Sequence, residues 1–390
     1  MSADVVIVGA GVIGAATAFH LARLGGASVE ILESATVGSG MSARSSALVR
    51  MHYSFGPEVE LALRSDEMFD AWPDLVGRPH CISRTGFVRI VGPGEEDNLT
   101  ANVSMQRALG ATVELIGPSE LSELAPGLVT GDVVAAAYEP RGGYGDGSVV
   151  AGDLLEAARR RGVRYLPETA VHEIVIEAGR VVGVLATDGI HRGATTVVAT
   201  GVWAPRLLGP VSAVTGVELP LETELHHVAH LNHPRGQGAS LACIDSVTET
   251  YFRPEASGER TLVGSFTGVR GVDPHALPPS VEADQLAGLV ERVLRRIPGL
   301  ADAGIGRGTT GLYDMTPDAR PLLGEVAGLP GVVIAVGFSG MGFKIAPAVG
   351  ESLACLVAGS ATPGVSLAPF RPSRFAEEQP IRPPHAYADD

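Results

Sequence analysis

Covalent and metal cross-links have little to work with in this sequence. Only three cysteines occur in 390 residues, Cys81, Cys243 and Cys355, and no two of them share a short spacing. That excludes a disulfide framework and a cysteine-based zinc site, and it suits a reducing compartment. Positive charge is also scarce. Against 44 Asp and Glu stand 29 Lys and Arg, a formal net charge of -15. A surface of that sign repels phosphate backbones, so nucleic acid is not an expected partner. A small anionic substrate stays open, because a few local cations suffice to hold it. No apolar run reaches the roughly 18–20 residues that a membrane span needs. The stretch from Val5 to Phe19 comes nearest, but it follows Asp4, lacks a basic lead and is interrupted by Gly9, Gly11 and Gly14. It therefore reads as a buried strand and helix rather than a signal-peptide core, and the expected location is cytoplasmic. What remains is a globular balance, 45% hydrophobic and 19% charged, in a chain long enough for two lobes.

Periodicity orders the chain into alternating elements. Residues 5–8 are a short apolar run, as expected of a buried parallel strand, and 12–24 have helical spacing with Gly25-Gly26 as the stop. A second strand over 29–32 ends at Glu33. From 34 to 56 the chain is rich in Ser and Gly, hence loop with at most a short helix; 58–72 reads as helix. Strand and helix signals alternate from 80 to 145, and 152–161 is an amphipathic helix. Strands follow at 170–176, 180–187 and 196–199, with Gly179 at a hairpin turn. Residues 215–275 are strand-rich, 281–296 helical, 332–336 a strand and 341–357 a long helix. Proline accumulates from Thr362 onward, and disorder is expected for the last dozen residues.

One local pattern carries chemistry by itself. Gly9-Ala10-Gly11-Val12-Ile13-Gly14 joins the first strand to the first helix. Gly9 permits the tight turn, Gly11 lets a pyrophosphate approach the backbone, and Gly14 allows close packing of helix on strand. The anion then meets the helix N-terminus, where free N–H groups and the dipole favour negative charge. Glu33 stands where such a fingerprint expects an acid for ribose hydroxyls. Strand, glycine loop, helix and acid together point to a bound dinucleotide. A second strand–glycine loop–helix closes the chain, with Gly337-Phe338-Ser339-Gly340 between residues 332–336 and 341–357.

Over essentially its whole length the chain resembles the D-amino-acid oxidase superfamily of FAD enzymes, in the branch of monomeric sarcosine oxidase and glycine oxidase. The carriers are the first glycine motif, Gly38-Ser39-Gly40-Met41-Ser42-Ala43-Arg44-Ser45-Ser46 leading to Arg50, and Val198-Ala199-Thr200-Gly201-Val202-Trp203. Met315-Thr316-Pro317-Asp318 and Gly337-Phe338-Ser339-Gly340-Met341-Gly342-Phe343-Lys344 complete the set. The resemblance implies an α/β fold: a Rossmann-type FAD-binding domain with a second, strand-rich α+β substrate domain interleaved in sequence. Residues 1–80, 146–210 and 306–377 are assigned to the first, 81–145 and 211–305 to the second, and 378–390 to a tail. It implies FAD contacts from Gly9, Gly11, Val12, Ile13, Gly14, Glu33, Ser34, Ser42, Arg44, Ser45, Ser46, Val171, Thr200, Gly201, Trp203, Gly340, Met341, Gly342, Phe343 and Lys344. It also puts Arg50 and Lys344 where the branch grips a substrate carboxylate, Arg by a planar fork and Lys as a point charge. Tyr251 matches an aromatic that lines the site, although a strand tyrosine is as often core; Arg253 is a further cation nearby. His52 reads either as a site neighbour or as a structural histidine, the commoner role. His226, His227 and His230 lack Glu or Cys at ligand spacing, so no metal is expected.

Two departures qualify the resemblance. Gly311 stands where monomeric sarcosine oxidase bears its flavin-linked cysteine, so FAD is expected to be noncovalent. Leu262, eleven residues after Tyr251, stands where the oxidases have an oxygen-activating lysine. Electrons would then pass to oxygen or to another acceptor. The expected reaction is oxidation of the C–N bond of a small amino or imino acid by hydride transfer to flavin N5, giving an imine. A 2-hydroxy acid as substrate, and a role as flavin subunit of a multi-chain amine dehydrogenase, are the alternatives. Oligomeric state stays open.

Overall fold

Strand Ala3–Val8 lies at the centre of the first of two large sheets in the computed structural model, which describes residues 2–255, 258–278, 281–360 and 364–387. Across that sheet run Leu322–Glu325, Val332–Val336, Gly189–Val198, Ala3–Val8, Val29–Leu32 and Arg164–Leu166. All neighbouring pairs are parallel except the first. Val5 to Val8 are all buried because both faces are covered. Val5 and Ile7 pack toward helices Val12–Leu24 and Gly342–Ala358. Val6 and Val8 pack toward the hairpin of Val171–Glu177 and Arg180–Ala186 and toward helix Ala204–Thr215. The first and last helices touch closely: a Cβ on Gly350 would stand 2.6 Å from the Ala16 backbone. Sequence-distant ends of the chain therefore build one wall.

The second sheet is mostly antiparallel and includes Phe87–Val91, Ala135–Glu139, Glu222–Asn232, Ala242–Asp245, Thr250–Pro254 and Arg260–Ser265. One face carries Val88, Ile90, Phe252 and Val263 against Leu286, Leu289 and Val293 of helix Ala283–Arg296. The other face carries Phe87, Val228, Tyr251 and Leu262 toward Leu48 and Tyr144. Strand Gly304–Met315 spans the division expected at 305/306 and pairs along Glu222–Asn232, in this second sheet.

Two expectations need correction. The helix placed at 152–161 starts earlier, at Gly147, because Asp146 caps it by accepting the Ser148 and Val149 N–H groups at 2.8 and 3.0 Å. The tail is ordered through residue 387. Proline denies it regular secondary structure, but Ile381 donates its N–H to Asp318, and Tyr387 is buried. Residues 388–390 lie outside the described residues. Among those described, no helix is long and apolar enough to cross a membrane.

Candidate active site

A cavity of about 1120 Å³ runs from Glu33, past the opening of the first helix, to Tyr313 and Gly340. That is slightly above the range of small-ligand pockets, about 300–1,000 Å³, as a dinucleotide together with a substrate requires. The first helix begins with Gly11 in extended geometry and no side-chain cap of its own. Its Val12 N–H donates to Ser42 Oγ at 3.0 Å. Gly9 has φ +98, and a Cβ there would meet the Ala199 carbonyl oxygen at 2.6 Å. A Cβ on Gly14 would overlap the Gly9 carbonyl oxygen. These two glycines are dictated by packing. Gly11 is different: its Cβ would touch only Ser42 Oγ, at 3.3 Å, and would stand in the groove beside the helix N-terminus. The Glu33 carboxylate is held by the Ala10 and Ala35 N–H groups at 2.8 and 2.9 Å and by Ser34 Oγ at 3.1 Å.

The far end is shaped by the closing glycine turn. Gly337, Ser339 and Gly340 all adopt positive φ. Asp314 fixes the turn, accepting the Gly337 N–H at Oδ2 (2.6 Å) and the Ser339 N–H at its carbonyl (3.0 Å). Burial pushes the Asp314 carboxyl up to about 6, against the pull of the Gly337 and Phe338 N–H groups. Gly340 is needed because a side chain there would collide with the Tyr313 ring, 2.7 Å from Cε2. Tyr313 in turn hydrogen-bonds Tyr251. Burial raises both phenols, so both are neutral hydrogen-bonding groups and neither serves as a base.

Of the residues expected at the cofactor, Gly9, Gly11, Val12, Ile13, Glu33, Ser34, Ser42, Arg44, Ser45, Val171, Thr200, Gly201, Trp203, Gly340, Gly342 and Phe343 line this cavity. Gly14, Ser46, Met341 and Lys344 are not among its lining residues. Ser46 offers its carbonyl to Arg253 Nε at 2.7 Å. Arg50, Tyr251 and Lys344 are not among its lining residues: Lys344 is buried and feels the charge of half-buried Arg50, and Tyr251 is buried and bonded to Tyr313. The Arg50 guanidinium lies 4.2 Å from the centroid of the Tyr53 ring, and its buried Nε has no hydrogen-bond partner. Lys344 is buried, and among the described residues its amine makes a single hydrogen bond, a 3.4 Å contact to the Gly340 carbonyl. Burial, with Arg50 adding to it, drives its amine well below the usual range, while Glu58 opposes. Neither cation forms an ion pair among the described residues.

Tyr313 and Asp314 escaped the sequence reading, although they directly precede the Met315-Thr316-Pro317-Asp318 segment. A compositional signal for Lys344 was also available: it is the only lysine in the chain. Of His226, His227 and His230, two have carboxylate partners, whereas His227 Nδ1 is buried without a hydrogen bond among the described residues. His226 is paired with Glu224 at 3.0 Å, and His230 with Glu255 at 3.1 Å. Among the described residues no cluster of His, Cys, Asp or Glu could hold a metal ion.

The sequence model of the FAD dependent oxidoreductase family (DAO) matches residues 4–356. The chain belongs to this family. Its cofactor is FAD, and the glycine groove at the first helix, with Glu33 beyond it, fits the pyrophosphate and ribose of that dinucleotide. Among characterised relatives, glycine oxidase of Geobacillus kaustophilus is 28% identical over 392 residues, covering 95% of this chain and 97% of the relative. 4-Methylaminobutanoate oxidase (formaldehyde-forming) of Paenarthrobacter nicotinovorans is 28% identical over 390 residues, but the match spans only 46% of that longer protein. In three dimensions L-proline dehydrogenase from P. horikoshii superposes with a TM-score of 0.89 at 26% identity, covering 97% of this chain and 99% of that one. The DAO fold expected from the sequence, with its FAD cofactor and oxidoreductase class, is thereby established.

Proposed function

We propose that the protein oxidises the C–N bond of a small amino or imino acid whose carboxylate is gripped by Arg50 and Lys344. One observation carries the reading: the half-buried guanidinium of Arg50 and the buried amine of Lys344 stand together, and neither has an ion-pair partner among the described residues. A buried charge is costly unless paired, and an incoming carboxylate resolves both at once. Arg50 supplies a planar two-point grip and Lys344 a compact charge. Bound FAD supplies the acceptor for the hydride that leaves the substrate's α-carbon. The protein's part is to fix that carbon by its carboxylate and to exclude water with the Tyr251–Tyr313 pair. A neutral amine needs no base for hydride loss, which agrees with two protonated phenols at the site.

Substrate size follows from the relatives, which act on glycine, on proline and on an N-methylated amino acid. Proline and N-methyl amino acids share a secondary amine next to, or near, a carboxylate. None of the three cysteines lines the cavity, and Gly311 does, which supports noncovalent FAD. The test is anaerobic mixing of the holoenzyme with glycine, sarcosine, proline, alanine and lactate, following loss of flavin absorbance. Reduction by the amino or imino acids, lost or shifted to far higher concentration in Arg50→Ala and Lys344→Ala with FAD retained, is expected. Reduction by lactate alone overturns the C–N assignment in favour of a hydroxy acid.

A further inference from the structure

The C-terminal segment ends beside the residues that carry Arg50. It leaves Asp318, whose Oδ2 accepts the Ile381 N–H at 2.9 Å, and reaches helix Glu96–Ala108. Three amide side chains on that helix, four residues apart, present one polar face. Asn98 Nδ2 donates to the Ala386 carbonyl at 2.9 Å and Asn102 Nδ2 to the His385 carbonyl at 2.8 Å. Gln106 Nε2 donates to the Tyr53 carbonyl at 2.9 Å. One helix face thus clasps both the C-terminal segment and the segment holding Arg50. Asn102 and Gln106 are buried, and buried amides are costly unless paired, so these contacts select one register for both partners.

Tyr387 completes the connection. Its hydroxyl lies 2.7 Å from His52 Nε2, and its ring faces the imidazole at 5.7 Å and 28°. The Arg89 guanidinium lies over the same ring, 4.4 Å from its centroid. His52 is two residues from Arg50 and adjacent to Tyr53, the ring on which Arg50 rests. Among the described residues Arg50 has no ion-pair partner to aim it, so its direction depends on how the backbone of residues 50–53 is held. A phenol suits this place because it is neutral. A carboxylate bonded to His52 would draw on the Arg50 charge that the substrate needs.

We propose that the C-terminal segment is a strap that positions the substrate-carboxylate site, with Tyr387 a positioning residue acting through His52 on Arg50. This rests on the reading of Arg50 as the carboxylate partner. Tyr387→Phe keeps the ring and its contact with Arg89 and removes only the hydroxyl. The probes are acetate and its neutral amide, acetamide, titrated into the FAD-loaded enzyme and read as flavin absorbance changes. Loss of one buried hydrogen bond should raise the acetate dissociation constant about fivefold. The KM of the amino-acid substrate should rise by the same factor, with kcat, acetamide response and FAD content unchanged. Asn102→Ala, which frees the segment from the helix, should give the same pattern. Wild-type acetate affinity in Tyr387→Phe, or equal weakening of acetate and acetamide, overturns the strap. Arg50→Ala separates the two ideas. If it loses acetate while Tyr387→Phe does not, the strap alone fails. If it keeps acetate, or the wild type never responds to acetate, the Arg50 reading fails and the strap falls with it.

Discussion

The imidazole of His226 lies against the ring of Tyr313, centroids 4.0 Å apart and planes 28° from parallel. Burial keeps the imidazole below its usual pKa, with the Ser265 carbonyl and Glu224 pulling the other way. Tyr313 lines the cavity, backs Gly340 and bonds Tyr251, so the stack braces that part of the cavity wall. A ring pair contributes about 0.5–1.5 kcal/mol beyond burial. His226→Ala should therefore raise the FAD dissociation constant of the apoprotein about threefold to tenfold, and His226→Phe should restore most of it. Equal FAD affinity in all three proteins, by fluorescence titration, would show that the stack does not brace the wall.

Gly11 and Gly14 should fail in different ways when each is replaced by alanine. At Gly14 a methyl group overlaps the Gly9 carbonyl, so helix and strand must separate and the apoprotein itself loses stability. At Gly11 the methyl group meets only Ser42 Oγ, so the apoprotein should melt as the wild type does. It intrudes instead where the pyrophosphate approaches, and FAD occupancy should drop at least about tenfold. Thermal melts with and without added FAD distinguish the two; equal FAD retention in Gly11→Ala would free that residue from the cradle.

The contrast between these glycines and His226 marks what the sequence makes legible. Gly14 is forced by an approach within one strand–loop–helix unit, and Gly9 and Gly340 sit at turns of positive φ. Their identity and spacing announce the local geometry even though Ala199 and Tyr313, which also crowd Gly9 and Gly340, are distant in sequence. Strand 5–8 and helix 12–24 follow from local patterning alone. His226 on Tyr313, Asp314 under Gly337 and Tyr387 on His52 join residues 23 to 335 positions apart. Periodicity tells which face such a residue occupies but not what it meets there. Asp318 shows the same limit. It belongs to a segment matched to the DAO enzymes, yet its carboxylate is spent on Arg374, at 2.8 Å to both Nε and a terminal nitrogen, and on the Ile381 N–H. The tail shows it too: its proline content reports on hydrogen-bonded secondary structure and is silent about the docking of Ile381 and Tyr387.

Leu262 should limit reaction with oxygen. It is buried on strand Arg260–Ser265, opposite Arg253 and His230 and packed with Tyr251 and Phe87. An apolar group there offers nothing to the negative charge that develops as oxygen is reduced, whereas a correctly placed cation is worth about 10²-fold or more in rate. Wild-type enzyme reduced by substrate should be reoxidised slowly by air, and Leu262→Lys should accelerate that step by about 10²-fold. The buried ammonium should also lower the melting temperature. Mixing reduced enzyme with oxygenated buffer in a stopped-flow instrument measures it. Rapid reoxidation of the wild type would remove Leu262 as the limiting feature.

Glu139 should set an alkaline limit on substrate binding. Its carboxyl is fully buried at the end of strand Ala135–Glu139; Oε2 accepts the Met51 N–H at 2.8 Å, and Oε1 has no partner. Burial pushes its pKa up to about 8, against the pull of the Met51 N–H and Arg50, while Asp66 pushes it further up. At neutral pH the group is therefore a neutral acid, and the charge of Arg50 is left for a ligand. As pH rises through about 8, a carboxylate forms beside Arg50 and competes with the substrate's own. Acetate affinity should fall across that range, with kcat at saturating substrate little changed. Burial also lowers the Lys344 amine well below its usual range, so Glu139→Gln is the discriminating variant: it should remove the part of the limb near pH 8. Stability follows the same sign. A carboxyl whose folded pKa lies above its unfolded value contributes fully below the unfolded pKa, and that contribution is lost as pH rises toward about 8. The Gln variant should accordingly hold its melting temperature better than the wild type on the alkaline side. An unchanged acetate limb in Glu139→Gln would assign the effect to Lys344 instead.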